Sequence, residues 1–150
     1  MKKLFLSLVF LMYVIVCSAQ SYTQKWNSLL QRTEFLDNYG NLIGYAKENT
    51  LLDRMEYFDR YGNMVKYEEF NELLNRTETK DKYGNTQSTQ NYNDLLKRED
   101  IKDEYGNVIG YKKWNDLLEQ YEIFNSYGTK IGYYKYNSLL DRWEFHEGAY

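Results

Sequence analysis

The sequence predicts an all-β fold, an elongated tandem array of β-hairpin repeats that are each 22 residues long. One turn motif recurs at this fixed period, every unit contains two strand-like runs, and the copies align without gaps. The motif Tyr-Gly-Asn stands at 39–41, 61–63, 83–85 and 105–107, with Tyr-Gly-Thr at 127–129. The same period also allows a β-solenoid with one coil per repeat, which would stack like charges at strand spacing.

The repeats occupy residues 20–150, which we interpret as a single domain. Every unit contains an Asn, a leucine pair, an Arg or Gln two positions later, and an acidic residue two positions further on. The leucine pairs are Leu29/Leu30, Leu51/Leu52, Leu73/Leu74, Leu95/Leu96, Leu117/Leu118 and Leu139/Leu140. We place the units at 26–47, 48–69, 70–91, 92–113 and 114–135, with a partial sixth unit at 136–150.

Strands, rather than helices, explain the two runs of each unit. The run Ile-Gly-Tyr-Tyr-Lys-Tyr at 131–136 contains a glycine, which costs about 1 kcal/mol in a helix relative to alanine. Its aromatic and β-branched residues favour a strand, as do those of Arg142-Trp143-Glu144-Phe145. The turn between two such runs begins with Asp37 and ends with Gly40, which suits a three-residue hairpin loop with a bulge.

This loop predicts that Phe35 lies opposite Ile43 and that Thr33 lies opposite Tyr45. The equivalent pairs are Tyr57 with Val65, Ile101 with Ile109, and Ile123 with Ile131. One face is then apolar, and the other carries the repeated Arg and Glu together with Gly44, Gly110 and Gly132. The leucine pairs fall in the longer second turn, where we expect one leucine of each pair to contact its counterpart in the next unit.

The unit at 70–91 departs from this pattern. Polar residues replace the apolar strand residues of the other units: Thr79, Lys80, Thr86, Gln87, Ser88, Thr89 and Gln90. Each apolar side chain that is not buried forgoes about 1–3 kcal/mol. We therefore expect this unit to be the least stable part of the array, or a bend in it.

Residues 1–19 predict a signal peptide. Lys2 and Lys3 precede the apolar run Leu4–Val16, and small residues before Gln20 predict cleavage there. Lipidation of Cys17 is disfavoured because the residues before it are not small. The apolar run is too short to span a bilayer, so no membrane span is expected after cleavage. The predicted location is outside the cell, at its surface or in the periplasm.

Cleavage removes Cys17, the single cysteine, so the mature chain has neither a disulfide nor a thiol nucleophile. It keeps 17 basic and 22 acidic residues, a net charge of −5. A nucleic-acid partner would require a basic surface, and none is expected.

The pattern Asp-x-Tyr-Gly-Asn, followed by a tyrosine-containing strand, an aromatic–Asn pair and an arginine, resembles the Rhs/YD-type repeat of bacterial surface proteins. Short hairpin repeats of the MORN type are a second resemblance. The aromatic–Asn pairs are Trp26-Asn27, Phe70-Asn71, Tyr92-Asn93, Trp114-Asn115 and Tyr136-Asn137. Asn replaces the family's Asp, and a leucine pair replaces its Gly before Arg. The resemblance implies a strand–turn–strand unit and a secreted bacterial setting. Enclosure of a toxin cargo does not carry over, because the units are too few.

The sequence contains no catalytic motif, and we expect neither an enzyme nor a bound cofactor or metal. The repeated acids could suggest catalytic carboxylates, but each repeats with its unit and follows an Arg or Gln by two positions, which favours structural ion pairs. These acids are Glu34, Glu56, Glu78, Asp100, Glu122 and Glu144. The lone His146 is interpreted as a solvated side chain. The Asp turns offer one acid each, which favours turn capping over calcium binding.

An aromatic row provides the candidate ligand contacts. Its members fall on the face opposite Tyr45, and Glu48 interrupts the row: Trp26, Phe70, Tyr92, Trp114 and Tyr136. If exposed, this row suits stacking on sugars or docking a protein; if buried, it is a second core layer. We therefore expect a secreted, non-catalytic interaction or structural protein, with a protein or glycan partner. The alternative is a carbohydrate- or cell-wall-binding module that uses the aromatic row.

Overall fold

The computed structural model describes residues 22–140 and 142–148, and the predicted signal peptide at 1–19 and its predicted cleavage before Gln20 lie outside them. The described residues form twelve antiparallel strands in one closed barrel and contain no helix. The strands are β1 (Thr23–Asn27), β2 (Arg32–Leu36), β3 (Leu42–Asn49), β4 (Arg54–Asp59), β5 (Met64–Asn71), β6 (Arg76–Asp81), β7 (Thr86–Asn93), β8 (Arg98–Asp103), β9 (Val108–Asn115), β10 (Gln120–Asn125), β11 (Lys130–Asn137) and β12 (Arg142–Glu147). No described segment is a helix long and apolar enough to cross a membrane.

The closed barrel corrects both predicted architectures, the elongated hairpin array and the solenoid. The strands pair in sequence order, and β1 pairs with β12 through Thr23↔Glu144, Gln24↔Trp143 and Lys25↔Arg142. The first described strand, β1, is therefore the second strand of a unit, and the last, β12, is the first strand of another. Their pairing completes a sixth unit and leaves no unpaired sheet edge among the described strands.

The Asp-x-Tyr-Gly turns confirm the predicted loop chemistry. Gly40 has a φ of 83°, and its amide donates to the Asp37 carbonyl at 3.0 Å. The Asp37 carboxylate accepts the amides of Tyr39 and Asn41 at 2.9 and 2.8 Å. Four further turns repeat the glycine's positive φ and its bond to the first residue, at Gly62, Gly84, Gly106 and Gly128.

The predicted register was wrong by one residue. A bulge after Phe35 adds one residue to β3, so Phe35 lies opposite Gly44 and Thr33 opposite Ala46. The same shift pairs Tyr57 with Lys66, Ile101 with Gly110, and Ile123 with Gly132. The glycines therefore share the inner wall with the apolar residues, and Tyr45 lies on the outer wall with the Arg–Glu pairs.

Gly132 shows why this inner position requires a small residue. A Cβ at Gly132 would lie 2.5 Å from Cζ of Phe145 and 2.7 Å from the carbonyl oxygen of His146. Such contacts are far inside van der Waals distance. The carbonyl of His146 cannot rotate out of the way without disrupting the hydrogen bonds between β11 and β12. The glycine thus lets the Phe145 ring approach the β11 backbone closely.

One half of the barrel interior, which we call the apolar half, lies on β1–β4 and β10–β12. Its core residues are Tyr22, Phe35, Ala46, Tyr57, Ile123, Tyr134 and Phe145. Tyr22 contacts Phe35, Tyr134 and Phe145 with ring centroids 5.9–6.2 Å apart, and its hydroxyl hydrogen-bonds that of Tyr134. Burial raises the pKa of both tyrosines well above the ordinary value, so both stay neutral.

The other half, the polar half, lies on β5–β9 and includes the unit with the exceptional sequence. Its inward-facing side chains include Lys66, Glu68, Thr79, Ser88, Gln90, Glu99 and Lys112. Two ion pairs lie here, Lys66–Glu68 at 3.4 Å and Lys112–Glu99 at 2.6 Å. The Tyr57 hydroxyl donates to Glu68 at 3.0 Å. Three of the polar residues expected to weaken the array, Thr79, Ser88 and Gln90, are therefore buried inside the barrel, whereas Gln87 is exposed.

Candidate functional site: the leucine end of the barrel

The two ends of the barrel carry different turns. One end, the tyrosine end, holds the Asp-x-Tyr-Gly turns, and its tyrosines are 74–92% exposed: Tyr39, Tyr61, Tyr83, Tyr105 and Tyr127. The opposite end, the leucine end, holds the six leucine pairs. The first leucine of each pair is 89–93% exposed and the second 44–53% exposed. The first leucines are thus almost fully exposed, and the predicted contact between leucines of neighbouring units stays a prediction.

An asparagine fixes each leucine turn. Asn27 Oδ1 accepts the Leu30 amide at 3.0 Å, while Asn27 Nδ2 donates to Glu34 Oε1 at 3.1 Å. The turn ends at Gln31, whose φ of 51° reverses the chain into β2. An aspartate in place of Asn27 would set a second carboxylate beside Glu34. The need for a donor explains why Asn, rather than Asp, recurs at this position.

The aromatic row lies on the inner wall, immediately inside the leucine turns. The structure places its five candidates at equivalent positions, next to the final Asn of their strands, with exposures of 40–58%: Trp26, Phe70, Tyr92, Trp114 and Tyr136. They are neither a fully buried second core layer nor an open stripe. They form an inner ring behind the exposed leucines, and Glu48 occupies the sixth position.

The inner ring is continuous with aromatic residues of the neighbouring strands on one side of the barrel. Trp114 meets Tyr121 edge to face with centroids 4.8 Å apart, and Tyr136 meets Trp143 at 5.5 Å. The rings of Tyr121 and Trp143, with centroids 6.0 Å apart, join these two pairs. Four aromatic side chains therefore form one patch near the leucine end.

The outer wall carries the repeated acids, which form ion pairs as the sequence predicted. Arg32 contacts Glu34 at 2.7 Å, and the same pairing occurs for Glu56, Glu78, Asp100 and Glu144. Glu122, which follows Gln120, is bound by Lys130 at 2.8 Å instead. The guanidinium of Arg32 also lies over the Tyr45 ring, 4.2 Å from its centroid. Each of the six repeated acids therefore forms an ion pair within the wall.

The pKa values of the wall acids follow from these partners. The hydrogen bond from Lys130 lowers the pKa of Glu122 below its ordinary value. Burial alone would raise the pKa of Glu78, but hydrogen bonds from Arg76 and Lys80 hold it below its ordinary value. Glu78 and Glu122 are therefore ionised near neutral pH.

The remaining candidates have ordinary structural roles. The His146 ring stacks on Tyr133 with centroids 4.8 Å apart, on the outer wall. Hydrogen bonds from Asn41 lower the pKa of Asp37, whose two carboxylate oxygens accept bonds from Tyr39 and Asn41 within the turn. No cluster of three or more potential metal ligands occurs among the described residues.

Charges of both signs surround the leucines. The described leucine turns contain the acidic residues Asp53, Glu72, Asp94, Asp116 and Glu119 and the basic residue Lys97, all exposed. Four exposed lysines lie on the outer wall, each two residues before the final Asn of its strand, and we call them the lysine collar: Lys25, Lys47, Lys113 and Lys135. The leucine end is thus an apolar surface with a mainly acidic border that includes one lysine.

The fold and the site define the class of protein: a closed twelve-stranded antiparallel β-barrel with an apolar end. No family model and no curated protein sequence matches the chain. A protein from Arabidopsis thaliana of known X-ray structure is similar in fold, with a TM-score of 0.62 and 14% identity over 84% of this chain and 78% of that one. At this identity the similarity concerns the fold alone. The relationship to Rhs/YD-type repeats stays a prediction.

Sequence reasoning missed the exposed leucines, which are the most prominent feature of this end. A signal for them was present: each pair stands in a turn, directly after the Asn that ends one strand and two residues before the Arg that begins the next. A short turn has no room to fold two adjacent side chains back into the barrel. Adjacent leucines at such a site therefore indicate exposure.

Proposed function

We propose that the chain is a secreted, non-catalytic binding protein that contacts its partner through the leucine end. One observation carries this proposal: six leucines that are 89–93% exposed surround a ring of half-exposed aromatic side chains. Exposed apolar groups at this density are costly in water and mark surfaces that bind. The repeated acids support a non-catalytic role, because their partners are the arginines and Lys130 of the wall.

A leucine variant tests this proposal on the envelope fraction of the producing cells. Leu51→Ser, Leu95→Ser and Leu139→Ser together remove side chains that are each 90% exposed, from alternate turns. The matched control, Tyr39→Ser, Tyr83→Ser and Tyr127→Ser, removes exposed side chains from the opposite end. We expect retention of the mature protein on the envelope to fall for the leucine variant and to persist for the control. Equal retention of all three proteins would contradict the proposal.

A carbohydrate-binding role is the second candidate, and the aromatic patch of Trp114, Tyr121, Tyr136 and Trp143 favours it. Half-exposed rings on a fixed β-wall suit stacking on sugar faces. This role predicts that Trp114→Ala abolishes binding to a glycan array, whereas the leucine variant still binds. Loss of binding only in the leucine variant would favour the first candidate.

Secretion belongs to the same proposal and is supported by the leader sequence at 1–19. Mass spectrometry of the exported protein should give an N-terminus at Gln20, with glutamine or its cyclised form. Recovery of the intact chain with Met1 from the cytoplasm would contradict secretion.

A further inference from the structure

We propose that the leucine end inserts into the surface of a phospholipid bilayer with zwitterionic headgroups; this inference rests on the proposed function and names its partner. The six leucine turns are equivalent in geometry. They have the same length, share the asparagine bond, and are brought together at one end by barrel closure. A ring of equivalent apolar tips has no preferred direction around the barrel axis.

A bilayer surface matches this lack of direction, because it is uniform in its own plane. A peptide or a folded protein would contact part of the ring and leave the other leucines in water. The exposure supports an occupant that reaches all six turns, since the first leucine varies only between 89% and 93% around the ring.

The arrangement of side chains along the barrel axis also matches a bilayer. Leucines stand outermost, where they would reach the acyl chains. The half-exposed Trp26, Phe70, Tyr92, Trp114 and Tyr136 follow one step inward. Trp and Tyr favour the boundary between headgroups and acyl chains, because each ring is apolar and carries one polar group. Apolar tips backed by such rings provide shallow insertion.

The charges indicate the headgroup. Asp53, Glu72 and Asp94 border the leucines, as do two further acids, whereas the lysine collar lies behind them. A strongly anionic surface would repel the acidic border, and a zwitterionic headgroup offers partners of both signs. A second copy of the chain placed end to end would set the acidic borders against each other, which is unfavourable.

Vesicle co-sedimentation of the mature protein tests this inference. We expect binding to phosphatidylcholine vesicles that persists in high salt and does not require added phosphatidylglycerol. The leucine variant Leu51→Ser/Leu95→Ser/Leu139→Ser should bind at least about tenfold more weakly, because each change removes apolar area that would enter the bilayer. The tyrosine-end control should bind like the unchanged protein. Thermal unfolding and size exclusion establish that both variants remain folded.

Three results would overturn the inference. One is a protein that does not bind phosphatidylcholine vesicles; leucine-dependent retention on the envelope would then show that the proposed function survives with a different partner. The second is binding that requires phosphatidylglycerol and disappears in salt, which would assign it to charge rather than to the leucines. The third is a vesicle-free dimer that the leucine variant dissociates, which would make a second copy the occupant.

Discussion

The two halves of the barrel interior are built on the same 22-residue unit but are filled largely with different chemistry. In the apolar half, Phe35, Tyr57, Ile123 and Phe145 occupy one repeated position; in the polar half, the same position holds Thr79 and a single apolar residue, Ile101. The turns and strand ladders are equivalent in both halves, because they depend on the backbone and on outer side chains. The repeated unit therefore specifies the barrel wall, whereas the chemistry of the inward-facing side chains varies between units.

The stabilising forces differ accordingly. The apolar half gains from removal of rings from water, which is non-directional and tolerates repacking. The polar half depends on hydrogen bonds and ion pairs that must be satisfied in place, and its Thr79 Oγ1 has no hydrogen-bond partner in the structure. We therefore expect the polar half to respond to changes of charge and the apolar half to changes of volume.

Phe145→Ala should have the largest effect. The ring is 6% exposed and lies 5.0 Å from Tyr134 and 5.9 Å from Tyr22 between ring centroids. Its removal leaves a cavity on β12, the strand that closes the barrel, and should lower the free energy of unfolding by about 3–5 kcal/mol. Urea denaturation measures this loss. Tyr127→Ala, a change of similar size at a site that is 92% exposed, should remain within about 0.5 kcal/mol of the unchanged protein.

Glu68→Gln should come next and tests the polar half. It removes the carboxylate charge 3.4 Å from the Lys66 ammonium, whose pKa burial already lowers, and leaves the shape nearly unchanged. We expect a loss of about 2–4 kcal/mol by urea denaturation. Adding Lys66→Met should recover much of that loss, because the buried positive charge is then removed as well. A double variant as unstable as the single one would show that the charge pair is not the cause.

Acid should weaken the outer wall. The pKa values of Glu78, Glu122 and Glu144 are lowered from their ordinary 4.5 in the folded chain. Their contribution is therefore complete above pH 4.5 and is lost as the pH falls through the lower folded values. The urea midpoint should drop in that window. Glu122→Gln should reduce the drop, whereas Glu104→Gln, at an exposed turn position, should leave it unchanged.

Thr79→Val should have the smallest effect and the opposite sign. Valine has the shape of threonine and lacks the hydroxyl whose oxygen is unpartnered, so the free energy of unfolding should rise by about 1 kcal/mol. Differential scanning calorimetry with Thr86→Val, at the partly exposed start of β7, provides the comparison. An equal or larger gain from Thr86→Val would mean that β-propensity, rather than the buried hydroxyl, causes the change.

The structure also revises the expectation about the unit at 70–91. Gln87 lies at the exposed bulge position, so its polar side chain replaces no buried apolar one, whereas Thr79, Ser88 and Gln90 are buried. The sequence could not reveal this because the bulge adds one residue and exchanges the faces of the strand. Whether this unit opens before the others stays a prediction that hydrogen exchange can test.

Local chemistry made several features predictable. The Asp-x-Tyr-Gly turns, the ion pairs two residues apart and the aromatic set opposite Tyr45 depend on neighbours in sequence, and the structure confirms them. Exposure of the aromatic row was undecidable from sequence, because it depends on where the barrel mouth falls. The near-complete exposure of the first leucines was not expected, because a contact between leucines of neighbouring units was assumed.

The sequence by itself determined the unit: two strands, a glycine turn, an asparagine-capped leucine turn, and an Arg–Glu pair on one face. Only the tertiary structure decided that the units close into a barrel, because closure requires β1 to pair with β12 across nearly the whole chain. That pairing satisfies the backbone groups of both edge strands and encloses the inner wall. It also brings all six leucine turns to one end of the barrel, where the repeated Leu-Leu pairs form a single surface.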